Sequence, residues 1–273
     1  MTEAARDIML ECRGVTVRFG GVTALDNVNF TARKPAVNAI IGPNGAGKTT
    51  LLNAISGLVN MAQGEILFQD KDIAGLPPFK RGRAGVVRTF QNLEVFTNMS
   101  VLENVMTGCH RRVKYSVLDA VIKTPRYFRS ERRCRELAME ALDFVGIAHM
   151  ADHAAAELPF GSLRLLELAR AISSDPDLLL LDEPAAGLNM RETRTLGQLI
   201  ARIRDELGKA VVLVEHDMDL VMNISDTIIV LQFGQELTRG TPQEVQNNPD
   251  VIAAYLGEED DDDQQQGPAC RQN

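Results

Sequence analysis

Gly42, Pro43, Asn44, Gly45, Ala46, Gly47, Lys48 and Thr49, followed by Thr50, fit the spacing G-x-x-x-x-G-K-[ST], which holds phosphate. Glycines let successive backbone N–H groups turn into one hollow, and a helix starting there adds the positive end of its dipole. Lys48 then reaches the β- and γ-phosphates of a nucleotide, and the Thr49 hydroxyl ligates Mg²⁺. A second group is Asp182 and Glu183, adjacent carboxylates that close the apolar run Leu178–Leu181. An apolar strand ending in Asp is the other half of a phosphate-loop ATPase. Asp182 holds Mg²⁺ directly or through water, and Glu183 polarises the attacking water. His216 follows the apolar run Ala210–Val214 in the same manner, which places it against the γ-phosphate. His110, His149 and His153 have no comparable placement.

These groups need strands and helices that deliver them to one edge. Ala36–Ile41 reads as a short buried strand before the glycine loop, and Thr50–Leu58 as an amphipathic helix after it. Four consecutive leucines before Asp182 predict a strand buried on both faces, as in a parallel sheet, whose carboxyl ends carry ligands. Residues 8–33 alternate apolar and polar around Gly20-Gly21, the period of two antiparallel strands. Phe19 lies just before that turn, where an aromatic either stacks on a base or packs in the core; composition leaves both open. Gly64 opens another strand, and Val86–Gln91 reads as a short strand ending in a polar residue. From residue 100 helices dominate, starting at the capping box Ser100–Glu103; further boxes stand at Asn189–Glu192 and Thr241–Glu244. Thr227–Leu231 and Glu236–Thr238 close the sheet as short strands, with a last helical turn or two near residue 250.

With 273 residues the chain is large enough for one α/β domain or two unequal lobes, and 45% hydrophobic with 24% charged residues reads as an ordinary globular protein. No apolar run approaches the ~18 residues of a membrane-spanning helix, and the first residues lack the apolar core of a secretory signal. Cys12, Cys109, Cys134 and Cys270 are scattered, which predicts neither a disulfide framework nor a zinc site and suits a reducing cytosol. The net charge of −8 is mostly the six acidic residues Glu258–Asp263, which with the following glutamines read as a disordered, solvated tail. This balance argues against general nucleic-acid binding. Between Arg111 and Arg135 stand nine Lys and Arg against Asp119 and Glu131, read most simply as a solvated face of an inserted helical lobe, with attraction to an anionic membrane surface or an acidic partner as the sharper reading.

The order of these motifs resembles the ATP-binding cassette (ABC) family over about residues 8–257. Phe19 matches the aromatic that stacks adenine, Gly42–Thr49 Walker A, and Gln91 the Q-loop. Gly161 falls in the signature segment, Leu178–Glu183 matches Walker B, Ala186–Asn189 the D-loop, and His216 the switch histidine. The resemblance implies an α/β fold of the P-loop NTPase type: a RecA-like parallel-sheet core, an antiparallel β subdomain and an inserted α-helical subdomain. It implies one ATPase domain over 1–257, with core and β subdomain in 1–91 and 157–257, the helical subdomain in 92–156 running into the signature helix, and the tail 258–273 outside.

The implied cofactors are ATP and Mg²⁺. Glu183, His216 and Gln91 are then catalytic; Thr49, Gln91 and Asp182 hold the metal; and Phe19, Gly42–Thr50, Gly161 and Ser162 bind nucleotide. Within the family the likeness is nearest to an ATP-binding subunit of branched-chain amino acid importers, or of their urea and amide relatives. It rests on the long insert after Gln91, on Asp182–Asn189, and on Gly240-Thr-Pro-Gln-Glu with Asn248–Gly257. Such a subunit sits on the cytoplasmic face beneath two membrane permeases, beside a second ATPase, and works with an extracytoplasmic solute-binding protein. Two of these ATPases close face to face, each signature completing the other's ATP site.

Two departures stand out. Leu158-Pro159-Phe160-Gly161-Ser162 replaces the usual Leu-Ser-Gly-Gly-Gln, and Ser162 is expected to cap the helix that continues through Ala171. Asn189 ends the D-loop in place of Asp. Three rivals are a soluble clamp on ribosomes or nucleic acid, a GTPase or small-molecule kinase, and a non-hydrolysing cassette. A single Walker A, the absence of N-K-x-D, and the presence of Lys48, Asp182, Glu183 and His216 weigh against each in turn.

Overall fold

The computed structural model describes residues 8–255 except Phe90, Asn92, 113–118 and Ala120. In chain order the strands are β1 (Ile8–Phe19), β2 (Val22–Arg33), β3 (Ala36–Ile41), β4 (Gln63–Phe68), β5 (Lys71–Asp72), β6 (Val86–Arg88), β7 (Leu178–Asp182), β8 (Ala210–Val214), β9 (Thr227–Gln232) and β10 (Gln235–Gly240). The α-helices are α1 (Lys48–Ser56), α2 (Pro78–Ala84), α3 (Val101–Gly108), α4 (Pro125–Val145), α5 (Phe160–Ser173), α6 (Met190–Asp205), α7 (Met218–Ile224) and α8 (Pro242–Gln246), followed by helix at 249–255. The acidic tail lies outside the described residues.

Two sheets result. The antiparallel one runs β2-β1-β4-β5; the larger runs β10-β9-β3-β8-β7-β6, parallel except for β10. Every residue of β3, β7 and β8 is buried, as their continuous apolar runs require. Because side chains alternate across a strand, β7 feeds two cores. Leu179 and Leu181 face a layer of α3–α7, whereas Leu178 and Leu180 join α1 and the antiparallel sheet. The apolar residues of α3 and α4 belong to the same cluster as Leu179 and Leu213, so this helical layer has no separate core. Along α4 the arginines at 126, 129, 132, 133 and 135 are exposed while Cys134, Leu137, Ala138, Ala141 and Leu142 are buried. The arginines of the basic run on α4 thus lie on an exposed face, which both readings of that run require.

All three capping boxes form, at Ser100, Asn189 and Thr241. Three local expectations shift. α1 starts at Lys48, two residues before Thr50, and ends at Ser56. β6 ends at Arg88, so Gln91 lies in the connection beyond it. Ser162 does not cap α5: the helix begins at Phe160 with Pro159 in the cap position and no side-chain cap bond. Proline lacks an N–H and holds a φ compatible with helix entry, so the helix can start earlier than a serine cap would have it. At the other end of α1, the buried Arg81 guanidinium donates to the carbonyls of Ala54, Ile55, Ala74 and Leu76 at 2.6–2.8 Å, a closure that no local signal announces.

Candidate functional site

The parallel register sets the site. Val214 pairs with Ile40 on one side and Asp182 on the other, so the carboxyl ends of β3, β8 and β7 finish in one row. The glycine loop leaves β3 immediately after Ile41, Glu183 follows Asp182, and Glu215-His216 follow Val214.

In the loop, Gly42 has φ 145° and Gly47 φ 101°. A Cβ on Gly42 would run into the Leu231 carbonyl, and one on Gly47 would lie 2.7 Å from the Leu25 side chain and 2.8 Å from the Ala24 carbonyl. Only glycine fits either place. Pro43, Asn44 and Gly45 span the turn, and the Ala46 carbonyl accepts from Gly234 N–H at 3.1 Å, which ties the loop to the β9–β10 turn. The buried Lys48 places Nζ 2.7 Å from the Gly42 carbonyl and 2.8 Å from the Pro43 carbonyl, inside the loop. No side chain caps α1, whose first turn carries Thr49 and Thr50. The result is a cradle of backbone amides, a helix N-terminus and one ammonium, chemistry that fits a polyphosphate.

Facing it are the carboxylates. Asp182 is buried and accepts from Arg88 Nη2 at 2.7 Å; Arg88 also donates to Asn53 Oδ1 at 2.7 Å and Ser56 Oγ at 3.0 Å, joining β6, β7 and α1. Glu183 has φ 46°, a left-handed conformation costing of order 1 kcal/mol for a residue with Cβ. Such strain persists where surrounding contacts over-determine it. Here those contacts are Glu183 N–H to the Val214 carbonyl at 2.9 Å and Gln91 Nε2 to Glu183 Oε2 at 2.9 Å. His216 Nδ1 stands 4.0 Å from the same carboxylate oxygen. Gln91, Glu183 and His216, far apart in the chain, therefore meet at one carboxylate. Gln91 donates through its amide nitrogen, which leaves its oxygen for a metal. Among the described residues no group of three or more His, Cys, Asp or Glu could hold a metal alone. The oxygen donors of Thr49, Asp182 and Gln91, with a single carboxylate among them, instead fit Mg²⁺, a hard cation usually bound by one or two carboxylates plus phosphates and water.

Phe19 is 51% exposed at the end of β1, opposite the 68% exposed Val22. Phe19 is therefore not a core residue. Gly161 and Ser162, in the first turn of α5, share no hydrogen bond with the glycine loop among the described residues. They sit instead beside the segment after Glu183, with the Phe160 ring against Gly187 and Gly161 against the Glu192 side chain. The phosphate cradle, the carboxylates and His216 thus gather at one edge, whereas Gly161 lies against Glu192 and Phe160 against Gly187.

Two residues that belong to the site escape reading from motifs. Arg88 orients Asp182; its only signal is a cation in a short apolar strand. Glu215 has a fully buried side chain whose oxygens accept from Ala185 N–H at 2.7 Å and His216 N–H at 3.1 Å, bridging the loops after β7 and β8. Burial pushes its carboxyl above the usual range, while those N–H donors pull the other way. A carboxylate beside His216 at a strand end was the available signal.

A family model described as "ABC transporter" matches residues 25–186, and one described as "Branched-chain amino acid ATP-binding cassette transporter" matches residues 236–261. The chain is 46% identical over 250 residues to the high-affinity branched-chain amino acid transport ATP-binding protein BraF of Pseudomonas aeruginosa. It is 43% identical over 250 residues to LivG of Escherichia coli K12, which carries the same description. Each alignment covers 92% of this chain and 98% of the relative. Among solved structures, a nucleotide-free ATP-binding cassette from an ABC transporter superposes with TM-score 0.79 at 30% identity, covering 91% of this chain and 98% of that one. A cassette in its ADP conformation gives TM-score 0.80 at 31% identity, covering 92% and 99%.

Proposed function

Since the chain belongs to the ABC transporter family, we propose that it is the ATP-hydrolysing subunit of an importer for branched-chain amino acids, working as one of two cassettes beneath a pair of permeases. The observation that carries the hydrolytic reading is the convergence of Gln91 and His216 on Glu183, opposite the Lys48 cradle. In this reading Glu183 takes a proton from the attacking water, and Gln91 and His216 fix where that water and the γ-phosphate sit. Lys48 and the loop amides stabilise the charge that develops on the phosphoryl oxygens. Thr49, Asp182 and Gln91 would hold Mg²⁺, which would offset the negative charge of the phosphates. Gly161 and Ser162 face a partner cassette's ATP, which accounts for their making no hydrogen bond to the chain's own loop among the described residues. The partner is a paralogue or a second copy, and an extracytoplasmic binding protein supplies the solute.

The cargo is read from the relatives' descriptions, and no helix among the described residues is long and apolar enough to cross a membrane. The test is uptake into proteoliposomes that contain the transporter purified through this chain, with ATP inside. ATP-dependent accumulation of leucine, isoleucine and valine is the expected outcome. Accumulation of urea or amides without leucine would overturn the cargo. Phe19→Ala should raise the KM for ATP about 5- to 150-fold, the worth of one base–aromatic stack, with kcat little changed and Phe19→Tyr near wild type. Equal KM values for Phe19→Ala and wild type would remove Phe19 from the nucleotide site.

A further inference from the structure

We infer that Arg164 is a positioning residue: it ties the Gln91 connection to the first turns of α5, so that the segment offered to the partner cassette's ATP controls how Gln91 meets Glu183. The inference rests on the face-to-face pairing proposed above.

Arg164 lies three residues beyond Gly161, just under one turn and about 4.5 Å further along the helix. Its side chain is only 5% exposed. Nη2 donates to the Gln91 carbonyl at 2.8 Å, Nη1 lies 3.3 Å from Glu167 Oε2, and the guanidinium sits over the Phe160 ring at 5.6 Å from its centroid. Arg164 therefore reads three things at once: the ring that rests on Gly187, a buried carboxylate on its own helix, and the backbone of the residue whose side chain holds Glu183.

From Gln91 the path continues through Nε2 to Glu183 Oε2 at 2.9 Å. Two hydrogen bonds in series thus run from α5 to the proposed base. Hydrogen-bond geometry tolerates only a few tenths of an ångström around 2.9 Å. A shift of α5 by about 1 Å, transmitted through the rigid guanidinium fork, is enough to break or make the Gln91–Glu183 contact. When a partner's ATP engages Gly161 and Ser162, α5 is fixed, Arg164 holds the Gln91 carbonyl, and the Gln91 amide is set on Glu183. An occupied signature segment then steadies the Gln91–Glu183 contact of its own cassette, which makes the two sites report on each other.

A plain buried ion pair between Arg164 and Glu167 would stabilise α5 without acting through Gln91. A double-mutant cycle in the assembled transporter separates the two cases. Arg164→Met should lower kcat roughly 10- to 100-fold, the scale of a misplacement of about 1 Å, and leave the KM for ATP within about twofold. The Gln91→Ala/Arg164→Met double variant should be no slower than Gln91→Ala alone, because Arg164 acts through the Gln91 side chain. Arg164→Lys keeps a cation against Glu167 but loses the fork, so it should fold as wild type and keep the low kcat. An undiminished Arg164→Met effect in the Gln91→Ala background, or full activity of Arg164→Lys, would overturn the inference. The pairing itself is read separately, from the Hill coefficient for ATP. A wild-type value of 1 with the epistasis intact counts against the face-to-face pair, and loss of the epistasis counts against Arg164.

Discussion

Glu183→Gln is expected to slow steady-state ATP hydrolysis by about 10²- to 10⁴-fold, the contribution of a positioned general base, while MgATP binding stays near wild type. The replacement is nearly isosteric, and its amide oxygen can still accept from Gln91 Nε2, so the geometry at 2.9 Å survives while the proton acceptor is lost. The left-handed backbone at Glu183 is equally costly for glutamine, so no strain is added or relieved. Phosphate release under saturating MgATP gives the rate, and equilibrium titration with a fluorescent nucleotide gives the affinity. In the face-to-face reading the slow variant should also accumulate as an ATP-bound pair of cassettes, visible as a doubling of mass by light scattering. Wild-type-like turnover would remove Glu183 as the base and move attention to Glu215, which is too enclosed to reach water without rearrangement.

Lys48→Met should fail differently, losing affinity and rate together. A charge-assisted hydrogen bond is worth ~1.5–3 kcal/mol, so ATP should bind on the order of 10- to 100-fold more weakly. Turnover should fall further, because the same ammonium stabilises charge that grows in the transition state. Nζ of the buried Lys48 is held by the Gly42 and Pro43 carbonyls inside the loop. Arginine should not substitute, since its planar fork does not fit where a point charge sits. The fold should survive, because the loop's shape comes from its glycines and from the Gly234–Ala46 hydrogen bond. Unchanged ATP affinity in Lys48→Met, measured by the same titration, would break the assignment of the cradle. Together the two variants separate binding from chemistry: one empties the site, and the other fills it without turnover.

Features written in contiguous residues were legible before any coordinates. The glycine loop, the three capping boxes and the buried strands β3, β7 and β8 each depend on neighbours within a few residues or on an unbroken apolar run. Phe19 shows the limit of that logic. Its position before a turn suited stacking and packing equally, and only its 51% exposure takes it out of the core. Ser162 shows a failure within reach of sequence rules: a serine suited to capping was placed within the first turn of α5, because Pro159 opened the helix first.

What the sequence determined by itself is the chemistry on offer: a phosphate loop, two carboxylates at the end of one strand and a histidine at the end of another, in an order that identifies the family. What the tertiary structure alone decided is which of these touch, and through what. Gln91 reaches Glu183 across 92 positions, Arg88 reaches Asp182 across 94, and Arg164 reaches Gln91 across 73. No periodicity or turn rule spans such distances. Those pairs exist because parallel strands bring their carboxyl ends into one row, and because a helix packed over that row lowers a buried cation onto it.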